Sequence, residues 1–182
     1  MARRATTVSR ARIQDVALTL FATRGYALTS LQEIATALDV TKAALYFYFP
    51  AKALLLHSLA DPLLDGVHTL LGAYTDGPLT APARREFIYA LTDLLLAHRP
   101  LVRWLARDLT ALAQPKIGDR AAVNAAHVRR LLAGADASLA GQVRAAAAMG
   151  ALMRPLVILD APDLSALRDT LVAAALAPLD AE

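Results

Sequence analysis

The chain contains no cysteine, which excludes disulfides and thiolate metal sites and is compatible with a reducing compartment. It also lacks any uninterrupted apolar run of the roughly 18 residues that a membrane span requires, although apolar residues fill 57% of its 182 positions. The richest stretch, residues 145–159, is broken by Arg154-Pro155. No apolar segment follows Met1-Ala2-Arg3-Arg4, so no signal peptide is expected, and a soluble cytoplasmic protein without a membrane partner is. Lysine is scarce, 3 residues against 16 arginines, and the 4 histidines are scattered. Gly-rich phosphate loops, a nucleophile elbow and Cys/His pairs are all missing, so no catalytic residue, cofactor or metal is expected.

The basic charge that is present is unevenly placed. Residues 1–52 carry seven basic and three acidic side chains, a balance of +4, while the remainder carries twelve against thirteen, a balance of −1. An excess of that sign at one end is what phosphate binding needs.

The same end holds the most organised stretch, TSLQEIATALDVTKAALYFYFPAK over residues 29–52. Ser30 followed three residues later by Glu33 is a capping box that starts a helix. Leu31, Ile34, Ala35 and Leu38 then fall at i, i+3, i+4 and i+7, one buried stripe. Asp39 tolerates left-handed backbone, so Leu38-Asp39-Val40 can form the turn of a helix-turn-helix. Thr41 caps a second helix, which must stop before Pro50 because proline disfavours helical geometry in the residue before it. In that short helix Ala43 and Ala44 permit close approach to a surface, Lys42, Tyr46 and Tyr48 offer polar tips, and Leu45 and Phe49 anchor it. Such a helix fits a major groove. Lys52, at the start of the next helix, is placed to meet a phosphate.

These residues resemble the DNA-binding half of the tetracycline-repressor-type (TetR) transcriptional regulators. The likeness covers residues 13–56 and runs through Gly25-Tyr26, Thr29-Ser30, Ile34-Ala35, Val40-Thr41-Lys42, Leu45-Tyr46, Tyr48-Phe49 and Lys52. Asp39 and Ala43 stand where the family commonly has glycine, and Ala53 replaces a usual glutamate. The resemblance implies an all-α protein of about nine helices, with a helix-turn-helix domain over residues 1–50 and a helical effector-binding and dimerisation domain over 51–182. With it, the DNA-contacting set becomes Ser30, Gln32, Thr41, Lys42, Ala43, Ala44, Tyr46, Phe47, Tyr48 and Lys52. The implied partners are a double-stranded operator, a small hydrophobic effector and a second copy of the chain.

The rest of the chain reads as helices. The first is expected after Ser9, burying Ile13, Val16, Ala17, Leu20 and Phe21 and ending at Gly25; Arg3 and Arg4 precede it as a disordered arm. From residue 51 to 73 a longer stretch is interrupted at Asp61-Pro62, which predicts a kink or two helices. His57, Asp61, Asp65 and His68 share one face there, and the apolar residues opposite make that face the wet side of an amphipathic helix. Gly77-Pro78 and Pro82 mark a linker. Helices follow over residues 84–98, 101–112 and from Asp119, as their cap, to Gly134.

Within these middle helices Tyr74, Tyr89, His98, Trp104, Asp108, Asn124, His127, Met149 and Met153 are candidate effector contacts, in a mostly apolar lining. The last two helices, over residues 138–159 and 163–177, are rich in small side chains. The resemblance assigns them to a two-fold interface, with Ala147, Ala151, Leu167, Leu171 and Ala174 as its candidates. An all-α enzyme or carrier, or a helical adaptor that uses its turn-helix for protein contacts, are the alternatives.

Overall fold

The structure, a computed structural model, describes residues 8–74, 79–134, 138–160 and 164–180. The expected arm at Arg3 and Arg4, the Gly77-Pro78 turn and the start of the last helix at Asp163 lie outside those residues. Among the described residues every regular element is helical: α1 (Arg10–Arg24), α2 (Leu31–Ala37), α3 (Lys42–Tyr48), α4 (Lys52–Gly72), α5 (Ala81–Ala97), α6 (Arg99–Leu105), α7 (Leu109–Leu112), α8 (Ile117–Ala133), α9 (Leu139–Ile158) and α10 (Arg168–Leu176), the last preceded by a 3-10 turn over Ser165–Leu167.

The first three helices are fixed by local chemistry. Ser9 Oγ accepts from Arg12 N, and Gly25 closes α1 at φ 87°, a conformation a residue with a Cβ adopts only under strain. Ser30 and Glu33 make the reciprocal capping box at α2, and Thr41 Oγ1 accepts from Ala44 N at α3. Asp39 turns the chain between them at φ 55°. Ile13, Phe21, Ile34, Leu45 and Phe49 are fully buried together and join Leu55 and Leu56 at the start of α4, so α4 closes the small core and leads out of it. Each such side chain contributes about 1.5–3 kcal/mol by burial.

Three boundaries differ from expectation. α4 runs through Pro62 as one helix, because the carbonyl that proline leaves free, that of Ser58, accepts from the Gln14 side chain on α1 at 3.0 Å. The predicted helix over residues 101–112 is split at Asp108, whose Oδ1 accepts from Thr110 N and Ala111 N and so starts α7. Asp119 lies inside the first turn of α8, and the cap position is Lys116 in the left-handed conformation, φ 67°. That tight connection presses Gly118 so close to α7 that a Cβ there would lie 2.2 Å from Leu112 O.

The larger body packs α4, α5, α8, α9 and α10 together, with α6 against α9. Arg99, Arg103 and Arg107, spaced four apart, hold the end of α9: Arg99 donates to Leu159 O (2.6 Å), Arg107 to Val157 O (2.7 Å) and Arg103 to Asp160 Oδ1 (3.2 Å). Cations at a helix C-terminus complement its exposed carbonyls. On the wet face of α4, Arg120 from α8 bridges Asp61 and Asp65, so those carboxylates serve as an inter-helix clasp. No helix among the described residues is long and apolar enough to cross a membrane.

Candidate nucleic-acid interface

Helix α3 buries Leu45 and turns Lys42, Ala43, Tyr46 and Phe47 outward. Phe47 is 82% exposed and Leu28, in the turn before α2, 78%. Apolar side chains exposed to that extent, one on a capped helix and one in the turn before α2, offer a contact surface. Lys42 Nζ lies 5.3 Å from the Tyr46 ring centroid and keeps its charge at the surface. Gln32 on α2 and Thr41 at the α3 cap are exposed beside it, while Ser30 and Thr41 already use their side-chain oxygens as caps.

Two of the expected contacts are engaged elsewhere. The Tyr48 hydroxyl donates to Val8 O at 2.8 Å and ties down the chain before α1; Arg10 lies 4.3 Å from the Phe49 ring centroid alongside. Lys52, expected at a phosphate, points its ammonium inward, donating to Tyr26 O (2.8 Å), Thr29 O (2.9 Å) and Ala27 O (3.4 Å) while sitting 4.3 Å from the Tyr26 ring centroid. Burial lowers its pKa, partly offset by Glu33 and Asp108. Local sequence shows neither arrangement, because the partners lie 40 and 23–26 residues away.

The turn that Lys52 holds is also gripped from the larger body. Asp108 Oδ2 accepts from Tyr26 N at 2.6 Å and from Trp104 Nε1 at 3.1 Å, and the Trp104 ring stacks on Phe21 with centroids 5.2 Å apart. Burial would raise the Asp108 pKa, but hydrogen bonds from Thr110, Tyr26 N–H, Ala111 N–H and Trp104 outweigh it and hold the carboxyl below its usual range. Trp104 and Asp108, expected as effector contacts, therefore belong to the joint between the helix-turn-helix and the rest.

Behind that joint lies an apolar cavity of about 470 Å³ walled by Leu63, Leu64 and Val67 of α4, Leu91 and Leu95 of α5, Val102 and Leu105 of α6, Leu112 of α7 and Asn124, Val128 and Arg129 of α8, with Met149, Gly150 and Met153 of α9. Of the nine candidates only Asn124, Met149 and Met153 line it. Asn124 is buried and donates from Nδ2 to Leu64 O at 2.9 Å. Tyr74 packs edge-on against Phe87, Tyr89 sits under Arg168 (4.5 Å), His98 precedes α6, and His127 is half-buried outside the cavity. Aromatic and polar identity alone did not say which side of a helix these residues occupy.

On α9 and α10 the candidates also divide. Ala147, Leu167 and Ala174 are exposed, Ala151 is half-buried, and Leu171 is buried in its own chain's core. Val143 and Ile158 add exposed apolar surface on α9.

Comparison with known proteins gives a consistent picture. Residues 13–59 match the family model described as bacterial regulatory proteins, tetR family. The chain is similar to an uncharacterized HTH-type transcriptional regulator, YuxN, of Bacillus subtilis (strain 168), 37% identical over 91 residues that make up 50% of this chain and 31% of that protein. Across the two curated relatives it matches, the aligned region spans 31% and 49% of their lengths. Among solved structures it resembles Mycobacterium smegmatis AmtR, 26% identical with TM-score 0.67, covering 100% of this chain and 91% of that one. It also shares the fold of PfmR, a TetR family transcriptional regulator from Thermus thermophilus, at TM-score 0.69 and 22% identity, covering 92% and 97% respectively.

Proposed function

We propose that the chain, which matches the TetR family of transcriptional regulators over residues 13–59, binds a pseudo-palindromic DNA operator as a cytoplasmic homodimer and represses transcription until a small apolar effector releases it. The observation that carries this reading is the outward face of α3, where Lys42, Ala43, Tyr46 and Phe47 stand clear on a capped helix. Lys42 supplies charge to phosphate, Ala43 permits close approach to base edges, and Phe47 offers an apolar face to a thymine methyl. Gln32 and Thr41 flank them, and Ser30 and Ala44 set the two helix starts.

Pairing through the exposed strip of α9 and α10 puts two such helices on one duplex, where half-site spacing follows from the dimer. The cavity supports an effector because it is apolar, within the size range of small-molecule sites, and walled by α6 and α7, which lead directly to Asp108 and the Tyr26 turn. The relatives are regulators, so an enzymatic role has no support from them.

The test is selection of genomic or random duplexes by the purified chain, followed by gel retardation of the selected sequence. Enrichment of one inverted repeat, with retardation weakened by Phe47→Ala, is the expected result. Equal binding of all duplexes, or none, would overturn the reading.

A further inference from the structure

Along α8 the apolar cavity gives way to a second opening, and one side chain belongs to both. Arg129 lines the cavity, and it also lines a cleft of about 420 Å³ between α8 and α9 together with Arg130 and Gln142. Among the described residues, no aspartate or glutamate lines either space. Arg129 is exposed and makes no ion pair among the described residues, in contrast to Arg120, earlier on α8, which is clasped by two carboxylates.

We propose that the effector is an anionic amphiphile: an apolar body in the cavity and a carboxylate or phosphate head on Arg129 at the start of the cleft. This rests on the reading of the cavity as the effector site. The guanidinium fork is built for two-point contact with such a head, and that contact is stronger than a neutral hydrogen bond. A cation is disfavoured by the adjacent pair Arg129 and Arg130. A wholly apolar ligand would forgo the charge-assisted contact that Arg129 offers, and the buried Asn124 amide already donates to Leu64 O. Met149 and Met153, on the α9 wall, let the body vary in shape.

The experiment is calorimetric titration of the full chain with octanoate, octyl phosphate and 1-octanol, which share a tail and differ in the head. At least one anion is expected to bind about tenfold more tightly than the alcohol, and the tighter of the two identifies the head. Arg129→Gln should remove that preference while leaving 1-octanol unchanged. Arg130→Gln, which lines the cleft but not the cavity, should change the anion's affinity by no more than about twofold. Equal binding of alcohol and anions, no binding of any, or equal losses in the two arginine variants would overturn the proposal. Duplex retardation by the same preparations separates this outcome from failure of the regulator reading: DNA binding retained without an anion preference removes only the ligand assignment.

Discussion

Gln14 on α1 donates from Nε2 to the backbone carbonyl of Ser58 on α4, 3.0 Å away, and this is the carbonyl that Pro62 deprives of its helical partner. The same amide reaches Ser58 Oγ at 3.1 Å. A proline inside a helix leaves its i−4 carbonyl unpaired, and here the vacancy becomes an attachment point for the helix-turn-helix.

Removing Gln14 therefore strands a part-buried acceptor. Gln14→Ala should lower stability by about 1–2 kcal/mol, read as a fall in thermal midpoint. Adding Pro62→Ala supplies the missing N–H, so the double variant should recover part of the loss. Strict additivity of the two changes would show that the carbonyl does not link them.

Asp108 makes a second attachment with a pH signature. Its carboxyl titrates below the usual aspartate range in the folded chain, so the unfolded chain binds the proton more readily. Stability from this group is full above the ordinary aspartate value of about 3.9 and is lost as pH falls through the lower folded value. Asp108→Asn should destabilise the protein near neutrality, and its deficit relative to the parent should shrink as pH falls below about 4. Trp104, the single tryptophan, gives a fluorescence readout of the joint. A deficit independent of pH would refute the assignment.

The two lysines of the helix-turn-helix should behave differently. Lys42 is exposed, whereas the Lys52 ammonium is directed at three carbonyls. Lys42→Ala should lower the salt slope of duplex binding by about one, the mark of one lost phosphate contact. Lys52→Ala should lower the thermal midpoint and leave that slope unchanged. A slope change in the Lys52 variant would restore it as a phosphate ligand.

What the sequence showed and what it hid follow from range. Ser9, Ser30, Glu33, Thr41 and Asp39 act within three or four residues of themselves, so capping and turn chemistry located α1 to α3 from the chain alone. Asp108 meets Tyr26 across 82 residues and Gln14 meets Ser58 across 44; no local pattern carries such pairs. Trp104 could have faced the cavity on composition, but the neighbouring turn of α6 gives that wall to Val102 and Leu105 and sends the indole to Phe21. The Asp61-Pro62 pair predicted a kink or two helices, and of these the division into two does not occur: α4 is one helix, and the donor that meets the Ser58 carbonyl comes from another helix.

Assembly is the remaining test, and burial within one chain chooses the variants. Leu171 is core in its own subunit, so changing it would confound folding with pairing, whereas Ala174 and Ala147 are exposed and can carry a large side chain without disturbing the single chain. If the α9/α10 strip pairs two copies, Ala174→Arg or Ala147→Arg places a charge between closely packed helices, where desolvation without a partner costs several kcal/mol. Sedimentation should then report monomer with helical content unchanged by circular dichroism. Operator affinity should fall steeply, because a monomer reaches one half-site only. An intact dimer in both variants would move the interface to another face.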